Sequence, residues 1–204
     1  MRKAIRFFAM LSLLLGCIAC AEETFLRIPL GGAIQELKPN YEQGKRFVSN
    51  NGDTLTLRRI SQSNFWEKQT ENIPNAGSFS DYDYLLLERQ NLTIGSDTPY
   101  FRFSFNLEAS YAPNNSRLGT DAYRLEFEEE FVETLQLNLS FIDSLECESK
   151  RCNFTDTLKI IDRTFLNCFF TPRDSVSLQA LYINSANGLV GFKSIENEIF
   201  ELID

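Results

Sequence analysis

The chain has no histidine among its 204 residues, and this absence removes two large classes of site. Histidine is the usual general base of Ser-His-Asp and Cys-His catalytic units and the commonest metal ligand in proteins. Catalytic units of that kind and imidazole-bound metals are therefore excluded. No motif calls for a cofactor or a metal, and we expect neither.

A basic patch and a membrane-spanning run are also missing. The formal net charge is −8, and removal of the basic leader residues Arg2, Lys3 and Arg6 makes it −11. A surface of that charge repels phosphate backbones, which argues against nucleic-acid binding. The apolar run Phe7–Leu15 is shorter than the roughly 20 residues that a membrane-spanning helix needs.

Aromatic residues are abundant, with eighteen Phe and seven Tyr against one Trp and two Met. A hydrophobic share of 43% and a charged share of 24% are typical of a folded globular protein. A chain of this length can bury one self-sufficient core. We predict a leader over residues 1–16, a tether with a short N-terminal strand over 17–44, and one domain over 45–204.

The first residues form an export signal. Met1–Arg6 is a short basic head, and the apolar run that follows it ends at Gly16-Cys17. Leu14-Leu15-Gly16-Cys17 resembles the bacterial lipobox, in which a small residue precedes the cysteine that becomes acylated. The resemblance implies a protein anchored by lipid on Cys17 to the outer membrane, facing the periplasm or the cell surface.

Cys20 is an alternative anchor, because Ala19-Cys20 is a second pair of a small residue and a cysteine. Cys20-Ala21-Glu22-Glu23 resembles the signal with which Bacteroidota export lipoproteins to the cell surface. That signal is a cysteine, any one residue and then two acidic residues. We prefer Cys17, since an anchor at Cys20 would place Cys17 where lipoboxes usually carry leucine. If Cys20 is the anchor, surface display is implied.

The sequence of the C-terminal third predicts short strands separated by turn residues. Each segment has the length of a strand and is rich in β-branched or aromatic residues. The segments are Leu158–Ile161, Phe165–Phe170, Val176–Ile183, Leu189–Lys193 and Ile199–Ile203. Asn187-Gly188 predicts a type I′ turn that folds Tyr182–Ala186 back onto Leu189–Phe192, and Asn51-Gly52 predicts a second hairpin.

Three central segments alternate apolar and polar residues. They are Phe101–Glu108, Tyr123–Glu128 and Leu135–Phe141. Side chains alternate between the two faces of a strand, so each segment buries one face, as in an antiparallel sheet. We predict an all-β fold, an antiparallel meander of about ten strands that curls into an open barrel or a two-layer sandwich. This fold is similar to that of the lipocalins, but an inner face lined by Phe predicts a filled core.

The segment Ser61–Ser80 is polar and contains Pro74 and Gly77. These features predict a long loop with a turn of helix around Trp66. Long loops in compact domains often bind ligands, which makes this segment a candidate binding site. A simple connector is the alternative.

The cysteines beyond the leader predict a disulfide rather than a metal site. Cys147 and Cys152 have four residues between them, which suits a disulfide in an exported protein. Zinc would need further ligands, and with no histidine only Cys168 is available. We expect Cys168 to be a small buried core residue.

Four triplets share the pattern Asp, then Ser or Thr, then an aliphatic residue. They resemble the acceptor sequence for O-glycosylation of exported Bacteroidota proteins. The resemblance would place sugars on Thr54, Ser144, Thr157 and Ser175. A structural explanation stays open, because Asp closes turns and Thr or an aliphatic residue opens strands.

Acidic residues are the remaining candidates for chemistry. Asp81 and Asp83 lie on one face of a predicted strand, and Glu128 ends another. Carboxylates so placed suit a hydrolase or a calcium site, or more simply strand ends that discourage edge-to-edge pairing. We expect an exported, lipid-anchored module that binds an apolar ligand or a protein partner without catalysis. The alternatives are a carboxylate-dependent hydrolase and a scaffold subunit of an outer-membrane complex.

Overall fold

The computed structural model describes residues 23–31, 44–70, 84–97, 100–110, 121–129, 135–141, 145–147, 152–171 and 179–203. These residues form thirteen β-strands, which confirms the all-β prediction. The strands are β1 Phe25–Ile28, β2 Lys45–Ser49, β3 Thr54–Gln69, β4 Tyr84–Asp97, β5 Tyr100–Glu108, β6 Asp121–Glu129, β7 Leu135–Phe141, β8 Leu145–Cys147, β9 Asn153–Lys159, β10 Thr164–Phe170, β11 Ala180–Asn184, β12 Gly188–Lys193 and β13 Ile199–Leu202. None of the described segments is a helix long and apolar enough to cross a membrane.

Twelve of the described strands form one curled sheet in the order β8-β7-β6-β5-β4-β3-β2-β13-β12-β11-β10-β9. Every neighbouring pair in this series is antiparallel, as the one-sided alternation predicts. The short strand β1 is different, since it pairs with β4 in parallel. We call β4 to β8 with β1 the front layer, and β2 with β9 to β13 the back layer. The strand β3 crosses from one layer to the other.

The alternating segments take up the positions that their pattern predicts. Phe101, Phe103, Phe105 and Leu107 of β5 are buried, and the polar residues between them are partly exposed. On β6 the inward residues include Tyr123, Leu125 and Phe127, and on β7 they include Leu137 and Leu139. These faces turn toward the back layer, because apolar surface is removed from water there.

Phe192 of β12 lies at the centre of the core. Its ring meets those of Phe101, Phe103 and Phe127 in the front layer, at centroid distances of 4.9–5.4 Å. It also meets Phe47 at 5.8 Å and Phe200 at 4.6 Å in the back layer. The inner face of the curled sheet is therefore filled by side chains at this point, as predicted.

The predicted loop over Ser61–Ser80 is wrong for residues 61–69, and so is the turn of helix around Trp66. These residues are the second half of β3, which pairs with β4 from Arg58↔Gly95 to Gln69↔Leu85. The side chains of residues 58–69 are all exposed. A strand with neither face buried needs no apolar alternation, because the backbone hydrogen bonds to β4 hold it in the sheet. Residues 71–80 lie outside the described residues.

The two Asn-Gly hairpins form, but one turn differs from the prediction. Gly52 has a φ of 91° in the β2–β3 hairpin. Between β11 and β12 the turn spans residues 185–187, and Gly188 follows it with a φ of 71°. A type I′ turn needs a positive φ at two successive residues. Asn187 does not have a positive φ, and its backbone N–H donates a hydrogen bond to Asn184 Oδ1 at 2.8 Å.

Two strand boundaries also differ from the prediction. The strand β9 begins at Asn153 and ends at Lys159, so Ile160 and Ile161 belong to the turn that follows. The segment Tyr82–Glu88 is apolar on both faces and predicts a strand that ends at Glu88. The strand β4 instead continues to Asp97, because its second half pairs with both β3 and β5. Local sequence pattern does not reveal pairing on both edges.

We predict that Phe192→Ala lowers the free energy of unfolding by about 3–5 kcal/mol, because it leaves a cavity where the two layers meet. Urea denaturation followed by circular dichroism measures this change. Phe65→Ala is the matched control, since Phe65 is 45% exposed and its loss should cost less than about 1 kcal/mol. Equal losses in the two variants would show that Phe192 does not join the layers.

Candidate functional site

An apolar pocket lies between the β9–β10 hairpin and the outer face of the back layer. Its volume is about 280 Å³, and it is lined by Leu158, Lys159, Ile160, Phe170, Tyr182 and Ile199. Gly191 of β12 pairs with Tyr182 and neighbours the inward-facing Phe192. Successive residues of a strand face opposite ways, so the pocket lies on the side of the sheet away from the core.

Gly191 allows the hairpin to approach this face closely. A Cβ atom at Gly191 would lie 2.8 Å from Ile160 Cδ1 and 2.6 Å from the carbonyl oxygen of Phe200. Both distances are shorter than real contacts of a Cβ atom, so a larger residue would displace the backbone or the hairpin. A glycine within a strand often marks such a close approach.

The buried carboxylate of Glu201 holds the turn of this hairpin. Its Oε2 accepts hydrogen bonds from the backbone N–H groups of Ile161, Asp162 and Arg163, at 2.8, 3.0 and 3.0 Å. Three successive N–H groups that point at one anion form a concave anion-binding turn. Glu201 is 2% exposed, so these bonds replace the water it gives up. The hairpin is thereby fixed above the pocket.

The chemistry of the pocket is apolar with one cation. Leu158, Ile160 and Ile199 supply aliphatic surface, and Phe170 and Tyr182 supply rings. Lys159 also lines the pocket, and it is exposed. The volume is slightly below the roughly 300–1,000 Å³ of drug-sized ligand sites. A short alkyl chain with an anionic head fits this combination.

A second cavity, of about 380 Å³, lies on the outer face of the front layer. Arg89 lies in its wall, and its guanidinium forms ion pairs with Glu67, at 2.6 Å, and with Glu108. The positive charge is thus already balanced by two carboxylates. This cavity offers less to a charged ligand than the pocket below the hairpin.

Cys147 and Cys152 form the predicted disulfide, with their Cα atoms 5.4 Å apart. Cys147 ends β8 and Cys152 precedes β9, and these strands are the two ends of the twelve-strand series. The bond therefore links the two free edges of the curled sheet. Cys168 is free and buried, as predicted, and desolvation raises the pKa of its thiol to about 11. A protonated thiol is a poor nucleophile and metal ligand.

The other predicted sites fall partly outside the described residues. Thr54 begins β3 and Thr157 lies within β9, and both are exposed. The candidate anchors Cys17 and Cys20 and the acceptors Ser144 and Ser175 lie outside the described residues.

Of the predicted acidic candidates, only Glu128 lies among the described residues. Asp81 and Asp83 lie outside the described residues. Glu128 lies on the outer face, 3.9 Å from Arg102, with its side chain 47% exposed. It is paired with Arg102 of β5, whereas the described pairing of β6 with β7 ends at Phe127. Its role in discouraging edge-to-edge pairing stays a prediction.

Sequence reasoning missed the carboxylates that are buried. Among the described residues these are Glu88, Asp121, Glu129 and Glu201. For Asp121 and Glu129 the sequence does contain a pattern that predicts burial. Residues 121, 123, 125, 127 and 129 lie on one face of β6, so the alternation that buries Phe127 also buries Asp121 and Glu129.

Glu88 of β4 and Asp121 of β6 bind the segment that follows β1. Glu88 Oε2 accepts the N–H of Leu30 at 3.0 Å, and its Oε1 accepts the side-chain amide of Gln90 at 2.8 Å. Asp121 Oδ2 accepts the N–H of Gly31 at 2.6 Å. Desolvation raises the pKa of Asp121, and the charge of Glu88 raises it further, against the effect of the backbone hydrogen bonds.

Glu129 has a similar role at the other end of β6. It accepts hydrogen bonds from Gln179 Nε2 at 2.9 Å and from the backbone N–H of Ile195 at 3.0 Å. These bonds connect the front layer to two segments of the back layer. The buried carboxylates thus bind backbone and amide groups at separate places. Within the described residues no three side chains of His, Cys, Asp or Glu converge as a metal site would require.

Comparison with known proteins gives no match to a protein-family model, a curated protein or a solved structure. The pocket and its surroundings are therefore the basis for a functional argument. They are built from residues on β9, β10, β11 and β13 and on the β9–β10 turn, which the curl of the sheet brings together.

We predict that Asp121→Asn changes how stability depends on pH. Because the pKa of Asp121 is raised above 3.8 in the folded state, its contribution to stability is present below pH 3.8 and is lost as the pH rises through the folded-state value. The neutral amide can still accept the N–H of Gly31 and should remove this loss. Urea denaturation over a pH series, with Glu128→Gln as the exposed control, measures the slope. A slope unchanged by Asp121→Asn contradicts the prediction.

Proposed function

We propose that this chain is an exported, lipid-anchored envelope protein that binds a small apolar ligand and does not catalyse a reaction. The single observation that carries the binding proposal is the apolar pocket beneath the β9–β10 hairpin, with the exposed Lys159 in its lining. The leader sequence supports the lipid anchor, at Cys17 or at Cys20.

The ligand class follows from the lining. Burial of apolar surface stabilises a complex by about 25 cal/mol per Å², so an alkyl chain gains most from this site. A carboxylate or phosphate at the end of that chain would lie near the ammonium group of Lys159. We therefore propose a single short acyl chain with an anionic head as the ligand.

The arrangement of carboxylates supports binding rather than catalysis. A general acid or base must exchange its proton with the substrate. Glu88, Asp121, Glu129 and Glu201 instead accept hydrogen bonds from backbone N–H groups of the chain itself. Among the described residues, those that line the pocket include no carboxylate and no thiol.

We predict that decanoate binds to the folded protein and that Leu158→Trp weakens this binding at least about tenfold, which is about 1.4 kcal/mol. The larger side chain fills the pocket. Isothermal titration calorimetry measures the affinity, and circular dichroism checks that the variant is folded. Leu166→Trp is the matched control on the same hairpin, because Leu166 is 62% exposed and does not line the pocket.

The head group is tested separately. Lys159→Gln should weaken binding of decanoate and leave binding of decanol unchanged, because only the acid carries a charge. Binding of decanoate that is unaffected by Leu158→Trp would overturn the proposed site.

We predict that the protein isolated from bacterial membranes has the mass of the chain beginning at its anchor cysteine plus acyl groups. Intact-mass spectrometry reports this mass and would also show sugars on Thr54 or Thr157 as discrete additions. Cys17→Ser abolishes acylation if Cys17 is the anchor, and Cys20→Ser abolishes it if Cys20 is. The mass of the uncut polypeptide would contradict the anchor.

A further inference from the structure

Five side chains, four of them exposed and one partly buried, form a surface cluster where β1, β3 and β4 lie side by side. We call Phe25, Arg27, Trp66, Lys68 and Tyr84 the aromatic–basic platform. The rings of Phe25 and Tyr84 stack with centroids 5.6 Å apart. Lys68 Nζ lies 3.8 Å from the centroid of Tyr84, and the guanidinium of Arg27 lies 5.5 Å from the rings of both Phe25 and Trp66.

The register of the strands explains why these residues share one face. Phe25 is paired with Tyr84 across β1 and β4. Across β3 and β4, Trp66 is paired with Glu88 and Lys68 with Leu86. Paired residues lie on the same face, and residues two apart on a strand do so as well. The platform is therefore set by the sheet rather than by a loop.

The platform is exposed although it is largely aromatic. Phe25 is 41% exposed, Trp66 is 40% exposed and the side chain of Lys68 is 48% exposed. Single exposed apolar residues are ordinary on protein surfaces, whereas clusters of them mark interaction sites. Trp and Tyr rings beside Lys and Arg are the combination found where proteins meet the lipid headgroups of a membrane.

The position of the platform along the chain indicates which surface it meets. Phe25 lies eight residues after Cys17 and five after Cys20. A fully extended chain spans at most about 3.6 Å per residue, so the platform lies within about 29 Å or about 18 Å of the acylated cysteine. This inference rests on the proposed lipid anchor. If the anchor is present, the short connection keeps the platform next to the bilayer.

We propose that the aromatic–basic platform lies in the headgroup region of the bilayer to which the protein is anchored. The anchor makes the contact intramolecular, so a weak surface is sufficient. Glu23 lies 3.2 Å from Lys68 and offsets one of the two positive charges. The aromatic rings therefore supply most of the attraction, and anionic lipids add a smaller part.

Trp66 is the single tryptophan of the sequence, so its fluorescence reports on the platform alone. The experiment uses the mature acylated protein in vesicles of phosphatidylethanolamine and phosphatidylglycerol. The acyl chains are either ordinary or brominated near the headgroup. We expect loss of Trp66 fluorescence in the brominated vesicles and a blue-shifted emission in both kinds.

Two matched variants test whether the platform is responsible. Phe25→Ser should reduce the quenching, whereas Phe154→Ser should leave it unchanged, because Phe154 is 50% exposed on the other layer. Arg27→Gln combined with Lys68→Gln should reduce it in vesicles that contain phosphatidylglycerol and have less effect without that lipid. Equal quenching in the Phe25→Ser and Phe154→Ser proteins would overturn the proposal.

The failure of this proposal can be told from the failure of the anchor by sedimenting the vesicles. Protein that is acylated and sediments with the vesicles, but whose Trp66 is not quenched, overturns the membrane contact and leaves the anchor standing. The platform would then be a surface for a protein partner. Protein that carries no acyl group and stays in solution overturns the anchor, and the membrane contact fails with it.

Discussion

The stacking of aromatic rings around Phe192 is the contact on which the rest of the structure depends. Phe192 touches rings from both layers, and so it closes a single long sheet into a two-layer body. Rings of this size pack at the density of a protein core, so side chains fill the space around Phe192.

Buried carboxylates fix segments at the rims of the sheet. Glu201 fixes the β9–β10 turn over the back layer, and Glu88 and Asp121 fix the end of β1 on the front layer. Each contact positions a segment that the aromatic core does not reach. The pocket beneath the hairpin and the aromatic–basic platform beside β1 thus owe their shape to polar contacts at the rims.

The sequence pattern predicted the strands that bury one face. It did not predict strands whose two faces are both exposed. The alternation over Phe101–Glu108 and Leu135–Phe141 predicted both strands and their inward faces, because burial imposes a period of two. The second half of β3 has no such pattern, since both faces are exposed and β4 supplies its hydrogen bonds. The pocket was not foreseen either, because its residues come from four strands and a turn that only the curl of the sheet brings together.

The amino-acid sequence by itself determined the fold class, the inward residues of the central strands and the pairing of Cys147 with Cys152, and its leader predicts export with a lipid anchor. These features rest on local pattern or short spacing. Tertiary structure alone decided that β1 runs parallel to β4, that Trp66 lies on an exposed strand and that Glu201 binds a turn about forty residues away. Such contacts join residues far apart in the chain. The neighbours of a residue in the sequence do not reveal which distant residue it will contact, so local pattern cannot predict these contacts.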